Sequence, residues 1–219
     1  MIKDKKSNKL SHLVLIRHGE SLWNAQGKWQ GWQDIALTEK GRHQARLAAS
    51  VLTDIKFQIA FTSDLIRAKE TLEIIKEELN ILELPTISES AFKERHYGIY
   101  TGKVKWEIKE MLGEDEFRRL RRGWDVTIPS GESLKNVYER VIPKFQQHIK
   151  PAIEKGLNIL FVAHGNSNRA LIKHLEDISD ELISEVEMAT GEVLIYKLDS
   201  KSKVINKEKR MVNKNIGKQ

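Results

Sequence analysis

Short unbroken apolar runs alternate along the chain with stretches in which apolar residues recur every three or four positions. The first pattern predicts buried strands and the second amphipathic helices. Leu13 to Ile16 anchor a strand over roughly Ser11 to Arg17. "LNILFVAH" is the most apolar run, which predicts a central strand. "FQIAFTS" predicts a short strand into Ser63, "TISES" one after the break at Pro85, and "EVLIYKL" the last one. Between them, Thr38 is placed to cap a helix through about Thr53. Ser63 is placed to cap the next, which sets Leu65, Ala68, Leu72, Ile75 and Leu79 on one face. Ser133 to about Lys155 predicts a helix bent or stepped by Pro143 and Pro151. Ser167 to Leu175 predicts another, with a short helix from Ser179. This alternation is that of an α/β fold.

Two regions interrupt it. Ser21 to Leu37 is a loop rich in Gly, Trp and Gln. Ala91 to Pro129 is polar and charged, and predicts a cap of loop and small helices inserted over about 91–130. The expected organisation is a flexible basic arm over 1–10, one domain over 11–200 and a basic tail over 201–219. The net charge of +6 is concentrated in the ends: the first nine residues carry +3 and the chain from Ser200 onward +6, which leaves the body at −3. Polar ends of this kind are solvated and mobile. No basic stripe with interleaved aromatics accompanies them, which argues against nucleic acid as a partner. The chain has no cysteine, so disulfides and thiolate metal sites are excluded. No apolar run approaches the ~20 residues of a membrane helix, and no hydrophobic region follows the basic start. A cytoplasmic location fits these features.

The candidate chemistry lies where two strands end alike. "LVLIRHG" and "ILFVAHG" each place a histidine and then a glycine just past the carboxyl end of a buried strand, where ligands of open α/β sheets bind. Glycine there allows close approach of backbone to a ligand. One such histidine reads as structural; two in matching positions, one beside Arg17, point to an anion gripped between His18 and His164. A neutral imidazole is a nucleophile, and a guanidinium suits the planar, bidentate demands of phosphate. Phosphoryl transfer requires in-line placement and positive charge around the equatorial oxygens. No zinc-site spacing occurs, so no metal is expected. Arg67 reads either as a surface arginine or as a second phosphate ligand. Glu94, in "KERHYG", reads either as solvated or as the group that gives and takes the proton. Arg121 and Arg122, in "RRLRRG", read either as an exposed helix face or as a substrate wall.

"RHGES" with "WN", "LTEKG", "TSDLIRAKET", "ERHYG" and "AHGNSNRALIKHLE" together resemble the histidine phosphatase superfamily, and within it the cofactor-dependent phosphoglycerate mutases, from about Ser11 to Ser200. The resemblance implies a mostly parallel central sheet with helices on both faces and a small helical cap. It implies a phosphohistidine at His18, with Arg17, Arg67 and His164 holding the phosphoryl group and Glu94 as proton donor and acceptor. Ser21, Asn24, Gly31, Tyr97, Lys105, Arg121, Arg122, Gly165 and Asn166 fall on positions that line the family's substrate pocket. It further implies a small phosphorylated carboxylic acid as substrate, 2,3-bisphosphoglycerate as priming cosubstrate, and room for a homo-oligomer. Two stretches depart from the mutases. The connection from Val126 to Ser133 is short and its "PSGES" is similar to the superfamily's smaller phosphatases, and Gln30 stands where mutases often have threonine. Both favour a phosphomonoesterase as the alternative. A non-catalytic regulatory protein is a third reading with no motif in its favour.

Overall fold

The computed structural model describes residues 9–210. The arm expected at the start falls, up to residue 8, outside the described residues, as does the chain beyond 210. Strand β1 (Ser11–Arg17) leads through a one-turn helix α1 (Leu22–Ala25) to α2 (Glu39–Ser50) and β2 (Ile59–Thr62). Then come α3 (Ile66–Glu78) and β3 (Thr86–Ser88). Two 3-10 turns, Ser90–Phe92 and Gly98–Tyr100, precede α4 (Lys105–Leu112) and α5 (Glu114–Arg122). Helix α6 (Leu134–Lys144) passes through a π-helical turn at Phe145–Ile149 into α7 (Lys150–Glu154). The π turn is the expected step: Pro143 and Pro151, at its two ends, cannot donate to the helical ladder. Strand β4 (Ile159–Ala163), α8 (Gly165–Glu176), a 3-10 turn (Leu182–Glu185), β5 (Val193–Leu198) and β6 (Val204–Arg210) complete the order.

The six strands form one sheet in the order β3-β2-β4-β1-β5-β6. The first four run parallel, whereas β5 is antiparallel to β1 and β6 to β5. Alternate residues of the two central strands serve opposite faces. Leu13, Leu15, Ile159 and Phe161 pack with α6, α7 and α8, while Val14, Ile16, Leu160 and Val162 pack with α2 and α3. Both faces are covered, which is why these strands read as continuous apolar runs. A third apolar cluster of Trp29, Tyr100, Ile108, Phe117, Leu120 and Ile128 holds α4 and α5 together over the polar segment.

Three local expectations are corrected. Thr38 does cap α2, its Oγ accepting from Gly41 N at 3.0 Å, but Ser63 does not cap α3, which starts at Ile66 after Leu65. Helix α8 begins at Gly165, two residues earlier than expected, so His164 is its N-cap residue. The strand over "EVLIYKL" is not the last: β6 forms inside the expected tail, and Lys207, Lys209 and Arg210 pair with Glu176, Glu192 and Asp54.

Candidate active site

Parallel pairing sets Arg17 opposite Ala163, so the residues after β1 and β4 emerge side by side. His18 N extends the ladder to Ala163 O at 2.9 Å. The two imidazoles end with centroids 5.0 Å apart, their planes tilted by 59°. His18 Nδ1 lies 2.7 Å from the carbonyl oxygen of Gly19. A carbonyl only accepts, so Nδ1 carries the proton and Nε2 keeps a lone pair. Burial, then the charges of Arg67 and Arg17, push the His18 pKa well below its ordinary value. The ring is therefore neutral at neutral pH. His164 is pushed the same way by burial, Arg67 and His18. Its Nε2 contacts Ser63 Oγ at 2.6 Å, and its Nδ1 has no protein partner.

Rings at this separation are within aromatic packing distance, which leaves no room for a tetrahedral anion between their faces. An anion therefore meets them at their edges. His18 lines an inner cleft of about 300 Å³, together with Arg17, Asn24, Arg67, Glu94, Tyr97 and Lys105. His164, with no exposed surface, supports the ring from inside. An outer cleft of about 480 Å³ shares Arg17, Glu94, Tyr97 and Lys105 and adds Arg121, Arg122, Gly165, Asn166 and Arg169. The site is thus one elongated cavity with His18 at its inner end.

Its charge is lopsided. Arg67, Arg95 and Arg169 are buried, and Arg17 half-buried. Among the described residues none of the four forms an ion pair with a carboxylate. They donate instead to carbonyls: Arg17 Nη1 to Met188 O, Arg67 to Gly31 O and Gln33 O, and Arg95 to Leu120 O. Among the described residues the Nε of each has no partner. Burial draws the Arg67 pKa down to about 10, and Lys105 down to about 8 with help from Arg121 and Arg17. Glu94 is the one carboxylate lining the inner cleft. Burial alone would raise its pKa, but the Arg95 N–H, Arg17, Asn166 and Arg67 outweigh it and hold the group below the ordinary value, hence ionised. Its Oε1 accepts from Arg95 N at 2.7 Å and Asn166 Nδ2 at 2.7 Å. The loop that carries it is clamped by Arg140, which donates to Glu94 O and, through two nitrogens, to both oxygens of Glu132.

A family model described as the histidine phosphatase superfamily (branch 1) matches residues 13–209. The chain belongs to that superfamily. It is 45% identical over 189 residues to the 2,3-bisphosphoglycerate-dependent phosphoglycerate mutase of Cytophaga hutchinsonii, covering 86% of this chain and 88% of that one. The enzyme of the same name from Parvibaculum lavamentivorans is 41% identical over 198 residues, 90% of this chain and 94% of that one. A solved structure of mycobacterial glucosyl-3-phosphoglycerate phosphatase with VO3 superposes at a TM-score of 0.74 with 25% identity, over 85% of this chain and 92% of that one.

Most of the residues expected from the superfamily resemblance come together in the cavity: His18, Arg17, Arg67, Glu94, Asn24, Tyr97, Lys105, Arg121, Arg122, Gly165 and Asn166 all line it. A Cβ on Gly165 would stand 3.5 Å from Glu94 Oε2 and 3.6 Å from Arg17, so a side chain there would enter the cavity. Three do something else: His164 does not line the cavity but backs the His18 ring from inside. Ser21 is fully buried, caps α1 and donates to Gln30 Oε1 at 2.7 Å. Gly31, at φ +54°, turns its carbonyl onto Arg67 and so holds that guanidinium. Gly19 is also reassigned: a Cβ there would lie 2.2 Å from Gly41 O, so its smallness serves the packing of the β1 loop on α2 rather than ligand approach. Arg122 is paired with Glu187 at 2.5 Å. Trp29 and Gln30, from the 21–37 loop, also line the cavity, as do Lys28, Arg169, Glu187 and Met188, which no motif marks. Of these, Arg169 left a signal, a lone cation between Asn168 and Ala170 on a buried helix face.

Proposed function

We propose that this protein is a phosphoglycerate mutase that interconverts 3- and 2-phosphoglycerate through a phosphohistidine at His18, with 2,3-bisphosphoglycerate as the priming cosubstrate. One observation carries the reading: a neutral His18 whose Nε2 holds a lone pair stands at the inner end of a cavity with two cationic poles. Arg17 and Arg67 stand beside His18 at the inner end, Arg121 and Arg169 line the outer cleft, and Lys105 lines both. Such spacing suits a short molecule with an anionic group at each end, and a phosphoglycerate has a phosphate and a carboxylate. The relatives named above support the same substrate. The chemistry uses side chains throughout, and the cationic set supplies the charge that phosphoryl transfer requires. Among the described residues no cluster of potential metal ligands occurs, and no helix is long and apolar enough to cross a membrane. A cytoplasmic location is part of the proposal.

In priming, His18 Nε2 attacks a phosphorus of bisphosphoglycerate in line, the P–O bond breaks, the departing oxygen takes the proton that Glu94 gains from solvent when the anionic ligand binds, and Nδ1–H keeps its bond to the Gly19 carbonyl, which stabilises the charge formed on the ring. Glu94, ionised again, next acts as base. With phosphoryl on His18, it takes the proton of the 2-hydroxyl of bound 3-phosphoglycerate as that oxygen attacks phosphorus. The N–P bond breaks and its electron pair returns to Nε2. In the second half Nε2 attacks the 3-phosphate and Glu94 returns the proton to the departing oxygen. Charge on the bound phosphoryl group offsets Arg17 and Arg67, so Glu94 holds the proton more tightly while that group is present.

The test is a product assay on purified protein. Incubation of 3-phosphoglycerate with a trace of bisphosphoglycerate yields 2-phosphoglycerate under this reading, and its absence ends it. A phosphomonoesterase is the second reading, favoured by the short Thr127–Gly131 connection. That connection packs on the 96–98 loop, where a Cβ on Gly98 would lie 2.0 Å from Pro129 O, so it is held at the wall. Inorganic phosphate released faster than isomer formed, in the same sample, would favour hydrolysis.

A further inference from the structure

Arg169, on α8, is 4% exposed. Its Nη1 donates to Asn166 Oδ1 at 2.9 Å, and its Nη2 donates to Arg122 O and Ile183 O, both at 2.8 Å. A guanidinium only donates. Its partner on Asn166 is therefore the amide oxygen, which fixes the orientation of that amide. The amide nitrogen is left to face the other way, where Nδ2 lies 2.7 Å from Glu94 Oε1 and 2.9 Å from Tyr97 OH. Because an amide N–H only donates, the Tyr97 oxygen accepts, and its own hydrogen is released toward a ligand in the cavity that Tyr97 lines. With the amide reversed, an oxygen would face the Glu94 carboxylate, and two acceptors repel.

We propose that Arg169 is a positioning residue for the reaction: by fixing the Asn166 amide it makes Glu94 an acceptor poised to take a proton and Tyr97 a donor poised toward substrate. The same guanidinium binds the carbonyl of Arg122, the last residue of α5, so the outer cationic segment and Glu94 share one anchor. This inference rests on the reading that Glu94 moves the proton. The charged and titratable groups facing Glu94 are Arg17 from β1, Arg67 from α3, Arg95 and Tyr97 from its own loop, Lys105 from α4 and Arg169 from α8. Loss of Arg169 removes both the anchor of the amide and one positive charge, so the experiment must separate the two.

Carboxyl-labelled glutamate allows Glu94 to be titrated by carbon NMR in the ligand-free protein, with Glu94→Gln to assign its signal. Arg169→Met raises the Glu94 midpoint by about one pH unit, as expected when a hydrogen bond to the charged form is lost, and moves the acid limb of kcat by a similar amount. Asn166→Ala raises it as well. The double variant gives the midpoint of Asn166→Ala alone if Arg169 acts through Asn166, whereas a direct charge effect adds. An unchanged midpoint in Arg169→Met, or additive shifts in the double variant, overturns the proposal. Arg169→Lys retains the charge but replaces the planar fork by one ammonium. It shifts the midpoint in the same direction, carries the test if the methionine variant does not fold, and overturns the proposal if its midpoint is that of the wild type. The titration needs no turnover, so a failed product assay would remove the mutase reading and leave this measurement intact.

Discussion

The neutrality of the two imidazoles has a consequence in stability that can be measured without substrate. Both His18 and His164 have folded-state pKa values pushed well below the ordinary one, by burial first and by Arg67 next. In the unfolded chain each titrates near ~6.5. As pH falls through that value the unfolded state binds protons that the folded state refuses, so stability is full above about pH 7 and is lost on acidification. From pH 7.5 to 5.5 an imidazole that stays neutral in the fold removes about 1.4 kcal/mol, and the pair about 2.7 kcal/mol. The 5.0 Å ring separation strengthens the effect, since a proton on one ring opposes a proton on the other. Urea unfolding at pH 7.5, 6.5 and 5.5 reads this directly. His18→Gln and His164→Gln should each flatten the pH dependence by about half, whatever each does to stability at pH 7.5. Glu94, Glu89 and Asp54 lose stability at still lower pH, because their folded values are lowered, and half-buried His174 contributes alike in all variants. Identical pH slopes in wild type and His18→Gln would show that His18 is protonated with its neighbours, and the argument for a ready lone pair on Nε2 would fail.

Other outcomes follow from single contacts. Lys105, at about 8, loses its charge in the mildly alkaline range, so kcat/KM should fall above that pH, and Lys105→Arg should abolish the break; a break that persists assigns it elsewhere. Arg67→Lys should lower kcat/KM about tenfold or more, because a single ammonium nitrogen cannot reproduce the planar fork whose two terminal nitrogens reach Gln33 O and Gly31 O while the group faces the ligand; unchanged kinetics would make Arg67 a bystander. Gly19→Ala places a methyl 2.2 Å from Gly41 O and should cost about 1–3 kcal/mol in urea unfolding, with wild-type stability refuting the packing account. His18→Ala should retain the fold by circular dichroism and lose essentially all turnover and all acid-labile phosphate.

Strand runs and helix faces were legible because β1, β4 and α3 bury what their sequences make apolar. The edge was not. In β6 only Val204 and Arg210 are partly buried, and such a lysine-rich edge reads as a tail. What makes it a strand is hairpin pairing with β5, just before it in the chain, and ion pairs with Glu176 and Glu192, whose placement no local pattern announces. The two His-Gly endings were legible for a related reason: parallel neighbours bring matching strand ends together, and that much follows from order alone. One glycine was misread. Gly19 follows the first of the matched histidines, yet its smallness is required by Gly41 of α2, whereas Gly165 lines the cavity. A sequence carries the demand for smallness at position 19 and says nothing of which neighbour makes it. Arg95 and Arg169 escaped notice because an arginine reads as surface unless a partner is visible, and their partners are backbone carbonyls with no sequence signature.

Those carbonyl partners bear on how the site works. A buried guanidinium is costly unless its hydrogen bonds are met and its charge is balanced. Arg17, Arg67, Arg95 and Arg169 donate to the carbonyls of Met188, Gly31, Gln33, Leu120, Arg122 and Ile183, and Arg169 also to the Asn166 amide oxygen; these partners orient each group, leave its Nε unpartnered among the described residues and cancel none of its charge. Against these cations the described lining of the inner cleft offers one carboxylate, Glu94, and the neutral His18, backed by the neutral His164. The surplus acts twice. It repels protons from His18, which keeps the nucleophile ready, and it holds Glu94 ionised, which makes it a base. A dianionic phosphoryl group reverses both effects at once, because it compensates the surplus at the point where it forms its bond. On the proposed mechanism Glu94 then keeps a proton and serves as acid for the next transfer. Ion pairs in place of the carbonyl anchors would have neutralised the site beforehand, and neither the lone pair nor the change of role at Glu94 would survive.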